Sequence, residues 1–243
     1  MRWTSSGPLA AAIVAAAGWA GSMPAAGQAP PVPASVPHPP PTAPQARFVV
    51  VLDAAHGGSD TGGKLGGNQL EKNFALAFSV RLRSLLAARG FQVVTTREQD
   101  ADLDSDRRAA IANHAKAEAC LILHASESGQ GVHLYVSSLQ QPVQQERFEA
   151  WRTAQAAWVA RSFTLAGVLN GVLTHAGMTV LTGRIGMPDI DSMECPAVAV
   201  EIAPENAGNH EGSGDLDDPD YQTRVAGAIA AALLEWRSEA RQP

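Results

Sequence analysis

The sequence predicts an α/β protein: an open, twisted, mostly parallel sheet with helices on both faces, folded as a single domain. Two observations predict it. Three short apolar runs, Phe48–Leu52, Ala119–Leu123 and Pro196–Val200, have the length and composition of strands buried on both faces. Helix-periodic segments alternate with these runs, which is the order of a layered sheet with crossover helices.

The elements follow in order. Residues 1–29 read as a signal peptide. Arg2 supplies a positive start, Leu9 to Ala20 is apolar but short for a bilayer span, and small residues follow around Ala25, Ala26 and Ala29. Residues 30–46 are a Pro/Ala-rich linker, extended and unable to form a core, and His38 within it has no assigned role. The folded domain is expected over residues 47–238. Its first strand runs from Phe48 to Leu52 and ends in Asp53-Ala54-Ala55-His56-Gly57-Gly58. A helix is expected from Leu70 to Arg89, with Phe74, Ala77, Leu82 and Leu85 among its apolar positions and Gly90 as its stop. Phe91 to Thr95 is a strand, and Asp104 or Asp106 opens a helix reaching Lys116. After the strand Ala119–Leu123, Gly131 to Val136 alternates as a half-buried strand. Gln141-Pro142 breaks the chain, a helical stretch then runs to His175 in one or two pieces, and a short strand from Met178 to Leu181 follows. Pro196–Val200 is the last strand, and Asp217 or Asp218 caps a final helix with Pro219 in its first turn.

The net charge of −6 and pI near 5.6 give no basis for nucleic-acid binding. Two cysteines are present, Cys120 and Cys195. Export permits a disulfide between them, while two buried reduced thiols fit the strand pattern equally well, so the pairing stays open at this point.

The three buried runs share a second property: each ends in a residue with chemistry. His56 follows the first, His124 the second and Glu201 the third. Ligands in open α/β sheets bind beyond the carboxyl ends of the strands, so parallel neighbours bring these residues together. Glu71, in the first turn of the helix after His56, starts near the same crevice. Two histidines and a carboxylate are typical of a catalytic zinc site with an open position, and a further carboxylate can serve as general base.

The motifs carry a resemblance beyond residue types. The run Asp53-Ala-Ala-His56-Gly57-Gly58-Ser-Asp60-Thr-Gly62 is similar to the DPGHGG-x-D-x-G signature of the zinc-dependent N-acetylmuramoyl-L-alanine amidases. Glu71-Lys72, Thr96-Arg97, Arg108-Ala-Ala-Ile111-Ala112-Asn113, Lys116-Ala117-Glu118, His124-Ala125, Pro196-Ala197-Val198-Ala-Val200-Glu201 and Asp218-Pro219-Asp-Tyr221-Gln222 match further family motifs in the family's order. The resemblance covers Arg47 to Trp236. It implies a Zn2+ site of His56, Glu71 and His124, with Glu201 as the catalytic carboxylate. It implies hydrolysis of the amide between N-acetylmuramic acid and L-alanine in peptidoglycan, by an enzyme exported to the periplasm or cell envelope.

The chain departs from that pattern at three places. Ala54 and Ala55 replace Pro and Gly, Ser126 replaces the usual Asn, and Ile202-Ala203-Pro204-Glu205-Asn206 replaces G-F and S-N. The last departure keeps one alternative in view, another zinc peptidase or deacylase on the same scaffold; a non-catalytic wall-binding protein is the second alternative, and the intact ligand set argues against it. Ser137 to Trp158 is read as an ordinary connection, with a lid or a surface for a regulatory protein partner as the alternative. His133 alternates with core-facing Val132 and Leu134 and is read as pointing away from the cleft. His114 and His175 are surface helix residues, His210 a loop residue, and Arg184 a salt-bridge partner more readily than a substrate-binding group. Trp151 and Trp158, seven apart, are read as sharing a buried helix face.

Overall fold

The structure is a computed structural model, and it describes residues 47–140, 151–205 and 214–240. Residues 1–29, expected to be a signal peptide, residues 30–46, expected to be a linker, and His210 lie outside the described residues.

Among the described residues, six strands form one sheet: β1 (Val49–Ala54), β2 (Gln92–Thr95), β3 (Ala119–Ala125), β4 (Val132–Ser137), β5 (Val180–Ile185) and β6 (Ala197–Ile202), in the order β2-β1-β3-β6-β4-β5. The pairs β1·β2, β1·β3 and β3·β6 are parallel, whereas β4 pairs antiparallel with β6 and parallel with β5. The expected mostly parallel sheet is present, with two reversed strands at one edge.

Alternation along the central strands separates two cores. Val50, Leu52, Leu121, Leu123, Val198 and Val200 face one side, with helices α1 (Glu71–Ala88), α3 (Val159–His175) and α5 (Pro219–Glu239). Val51, Cys120, Ile122, Ala197 and Ala199 face the other, with α2 (Ser105–Ala115) and the single turn α4 (Pro188–Asp191). Both faces of the sheet are thus covered, which is why the central strands read as continuous apolar runs rather than alternating ones. β4 is buried as well, with only Tyr135 partly accessible, so it is not the half-exposed strand that its alternation suggests.

Local chemistry sets the helix boundaries. Along α1, Phe74, Phe78, Leu82 and Leu86 are buried at four-residue spacing, and Phe74 and Phe78 stack with centroids 5.9 Å apart. Its chain reverses at Gly90, whose φ of +79° is a left-handed turn that glycine adopts without strain. Asp104 caps α2 by accepting from Arg107 N–H at 2.8 Å, and Asp218 caps α5 by accepting from Asp220 N–H at 2.9 Å. The helical stretch before β5 is broken: a 3-10 segment, Trp151–Ala157, meets α3 at 63°. The break overturns the expectation for its tryptophans, because Trp151 is 49% exposed. β5 begins later than expected and runs to Ile185. As an edge strand with exposed Leu181, Thr182 and Arg184, it lacks the apolar run that marks the central strands.

Cys120 and Cys195 form a disulfide, both fully buried, with Cα atoms 6.2 Å apart. The bridge ties β3 to the segment entering β6. It resolves the open pairing in favour of the disulfide.

Candidate active site

The site is built on the carboxyl ends of β1, β3 and β6. His124 and Glu201 are register partners on adjacent parallel strands, and both side chains lie on the α2 face of the sheet. His56 follows β1, and Glu71 is the first residue of α1. A donor atom from each of His56, Glu71 and His124 lies within 4.8 Å of the others. The structure brings together the three residues that the sequence singles out.

The donors converge on one carboxylate oxygen. His56 Nε2 is 3.1 Å and His124 Nδ1 2.8 Å from Glu71 Oε1. The second oxygen of Glu71 accepts from Gly63 N–H at 2.8 Å. On the far side of the His56 ring, Nδ1 contacts Asp60 Oδ2 at 2.8 Å, which fixes the ring and presents Nε2 to the site. Among the described residues, the other ring nitrogen of His124, Nε2, is buried without a hydrogen-bond partner. A donor set of two imidazoles and one carboxylate, gathered this closely, fits a divalent metal ion such as zinc.

The electrostatics agree. The hydrogen bond to Glu71 pushes the His56 pKa up to about 9, against the opposing effect of burial, with Asp60 adding to the rise. Burial raises the Glu71 carboxyl, but hydrogen bonds from His124, His56 and Gly63 outweigh it and hold the group well below the usual carboxylate range. A proton on His56 can balance the buried carboxylate, and a divalent cation can take over that role.

An arginine cage shapes the turn that carries His56. Arg108 Nη1 donates to Asp53 Oδ1 (2.6 Å) and to Ala54 O (2.8 Å), and its Nη2 donates to His56 O (2.6 Å). Arg97 donates to Ala54 O (2.8 Å), Ala55 O (2.9 Å) and Lys72 O (2.7 Å). Every carbonyl from Ala54 to His56 therefore accepts from a guanidinium. This explains how Ala54 and Ala55 can replace Pro and Gly and still deliver His56, which sits at φ +60°. Gly62, at φ +62°, backs the same cluster. A Cβ there would lie 2.5 Å from His56 Cδ2 and 2.6 Å from Glu71 Oε2.

The altered segment after Glu201 is also anchored. Tyr221, fully buried, donates its hydroxyl to Ala203 O at 2.7 Å, two residues past Glu201. The Asp218-Pro219 cap sets the start of the helix that carries this tyrosine. Beside His56 opens a cleft of about 510 Å³ whose wall carries Asp60, Asp102, Asp104 and Asp189.

One residue of the site was misread from sequence. His133 does point away from Val132 and Leu134, but the face it points to holds Glu201. Its Nδ1 is 2.7 Å from Glu201 Oε1, and the two residues are cross-strand partners in the antiparallel β4·β6 pair. The reversal of β4 brings its amino-terminal end beside the carboxyl end of β6, and single-strand alternation carries no signal for that. Arg184 donates to the carbonyls of Ser137 and Leu139 and lies over the Phe163 ring, so its expected salt bridge is replaced by carbonyl contacts.

Comparison with known proteins agrees with this geometry. The family model described as N-acetylmuramoyl-L-alanine amidase matches residues 50–235. The germination-specific N-acetylmuramoyl-L-alanine amidase of Bacillus subtilis is 26% identical over 212 residues, covering 80% of this chain and 82% of that protein. The catalytic domain of CwlV, an N-acetylmuramoyl-L-alanine amidase from Bacillus (Paenibacillus) polymyxa var. colistinus, is 27% identical, with a TM-score of 0.59 over 79% of this chain and 98% of that one. The CwlD amidase from Clostridioides difficile, solved in complex with the GerS lipoprotein, shares the fold at 18% identity and a TM-score of 0.57, over 79% of this chain and 99% of that one. With that match spanning the sheet, the donor cluster and Glu201, the chain belongs to the N-acetylmuramoyl-L-alanine amidase family, enzymes that act on peptidoglycan.

Proposed function

We propose that residues 47–238 are a zinc amidase catalytic domain in which His56, Glu71 and His124 hold Zn2+ and Glu201 is the catalytic carboxylate. The observation that carries the reading is the convergence of three donor groups beside the His124–Glu201 register pair. Bound zinc would supply a water of pKa about 7 and polarise the scissile carbonyl.

The chain's own residues do the rest. Asp60 orients His56, and the arginine cage fixes the turn beneath it. Glu201 accepts a proton from the attacking water as the oxygen bonds to the lactyl carbonyl carbon. As the carbon–nitrogen bond breaks, the same carboxyl returns the proton to the alanine nitrogen, so no net proton is consumed in these two transfers. The four aspartates of the cleft beside His56 disfavour anionic groups on that side of the site, although Arg108 also lines it.

The reading extends to location and partners. Residues 1–29 direct export to the periplasm or cell envelope, and residues 30–46 tether the domain. The GerS complex of the CwlD amidase supports keeping a regulatory protein partner within the proposal. The two alternatives from sequence lose their basis. The family match favours an amidase over another zinc peptidase, and the intact donor set favours an enzyme over a passive wall binder.

Metal analysis of the purified full chain tests the donor set. The expected stoichiometry is one zinc per chain, lost on His56→Ala and kept on Glu201→Ala. Zinc lost with Glu201→Ala would contradict the division between ligand and base.

A further inference from the structure

Glu201 has two carboxylate oxygens, and among the described residues a hydrogen bond ties down only one. We infer that His133 is a positioning residue that clamps Glu201 Oε1 and leaves Oε2 as the oxygen that exchanges protons with water and leaving amine. The inference rests on the reading of Glu201 as the catalytic carboxylate.

Four observations carry it. The Nδ1···Oε1 distance of 2.7 Å is that of a short charge-assisted hydrogen bond. The pair is a direct cross-strand pair, so its geometry is set by the sheet register rather than by flexible segments. The imidazole is itself confined. His133 is 5% exposed, and the Tyr135 ring stands edge-on at 6.3 Å. Gly129, at φ +94°, closes over the ring so tightly that a Cβ would lie 2.2 Å from His133 Cε1. Finally, His133 Nε2 is buried with no hydrogen-bond partner, so Glu201 is the polar group this ring serves among the described residues.

The chemistry follows from the donor inventory. A catalytic base must be an ionised carboxylate, which only accepts; His133 Nδ1–H must then be the donor. Once Oε1 is committed to that bond, rotation of the carboxylate would break it. The proton taken from water therefore resides on Oε2, and Oε1 continues to accept from His133 through the cycle. Without the clamp the carboxylate samples other rotamers, and each turnover waits for the productive one.

The test compares His133→Asn, His133→Gln and His133→Leu in the zinc-loaded full chain. An Asn amide can replace the Nδ1 donor, whereas a Gln amide reaches toward the Nε2 position. With a charge-assisted bond removed, His133→Leu should lower kcat about ten- to a hundredfold while KM and zinc content stay within twofold. His133→Asn should recover most of kcat, and His133→Gln should not. Equal kcat for Asn and Gln variants, or a folded, zinc-replete Leu variant within twofold of wild type, would overturn the inference. If His133→Leu does not fold, the Asn/Gln comparison decides alone. Glu201→Gln separates the two levels: residual wild-type turnover there sinks the assignment of Glu201 itself, whereas an inactive Glu201→Gln beside unaffected His133 variants sinks only the clamp.

Discussion

Exchange of Asp53 for Asn should destabilise this fold far more than the loss of one surface charge. Asp53 is fully buried on the β1 end and Arg108, 3% exposed, meets it at 2.6 Å. The Thr96 hydroxyl donates to the same Asp53 oxygen. Burial pushes the Asp53 carboxyl up, against the lowering effects of the Arg108 charge and the Thr96 hydroxyl. The pair is thus costly to form, but breaking it leaves a guanidinium in the interior without its counter-charge. Removing one partner of a buried pair typically costs about 3–5 kcal/mol. Arg108 retains three carbonyl acceptors, on Ala54, His56 and Leu103, and Asn keeps a polar group at position 53, so the lower end applies. About 3 kcal/mol corresponds to a fall in Tm of about 6–12 °C for a domain of this size. Urea unfolding of the metal-free chain, with the disulfide intact, reads the change directly. The double replacement Asp53→Leu/Arg108→Met should be less destabilised than either single variant, because no orphan charge remains. An Asp53→Asn variant within 1 kcal/mol of wild type, measured at about the same m-value, would refute the cage as the support of the His56 turn.

Further outcomes follow from the same geometry. Replacing both Cys120 and Cys195 by Ala releases a loop closed over a sequence separation of 75, for which chain entropy sets an upper loss of about 4.5 kcal/mol. A loss of at least about 2 kcal/mol is expected by urea unfolding, and no loss would show that the bridge adds nothing to the β3–β6 contact. Gly62→Ala should weaken zinc affinity at least about tenfold in a chelator competition, since its Cβ invades the space of His56 and Glu71; unchanged affinity would contradict the packing described. The His56 pKa is raised to about 9, so its ion pair stabilises the metal-free fold fully below pH 6.5 and this contribution fades as the pH rises through 9. The same proton competes with the metal. Zinc affinity should therefore rise between pH 6.5 and 9 with release of protons to the buffer, and a flat affinity over that window would contradict the assignment of His56 as a donor.

Much of the site was legible in the sequence because its residues terminate buried strands. His56, His124 and Glu201 each follow an apolar run, and parallel pairing of β1, β3 and β6 turns that one-dimensional coincidence into a common crevice. Glu71 was legible from its position in the first turn of the following helix. What escaped has physical reasons. His133 faces the side that its alternation indicates, but the importance of that side depends on β4 running antiparallel to β6, a tertiary choice that no local pattern encodes. Trp151 and Trp158 have helical spacing and line one cleft, yet the chain bends by 63° at Trp158 and leaves Trp151 exposed rather than in the core. Arg97 and Arg108 lie 43 and 55 positions from the residues they hold, Ala54 and Asp53, and only the motif resemblance drew attention to them. The disulfide joins two cysteines whose proximity exists only once β3 and β6 are paired.

The measurement that bears most directly on the central claim is a digest of purified peptidoglycan with the zinc-loaded full chain, run beside Glu201→Ala. New alanine amino termini and new sugar reducing ends are both scored. The account predicts new alanine termini with the wild-type chain, none with Glu201→Ala despite bound zinc, and no new reducing ends with either. New amines elsewhere in the stem peptide, or undiminished turnover by Glu201→Ala, would contradict it.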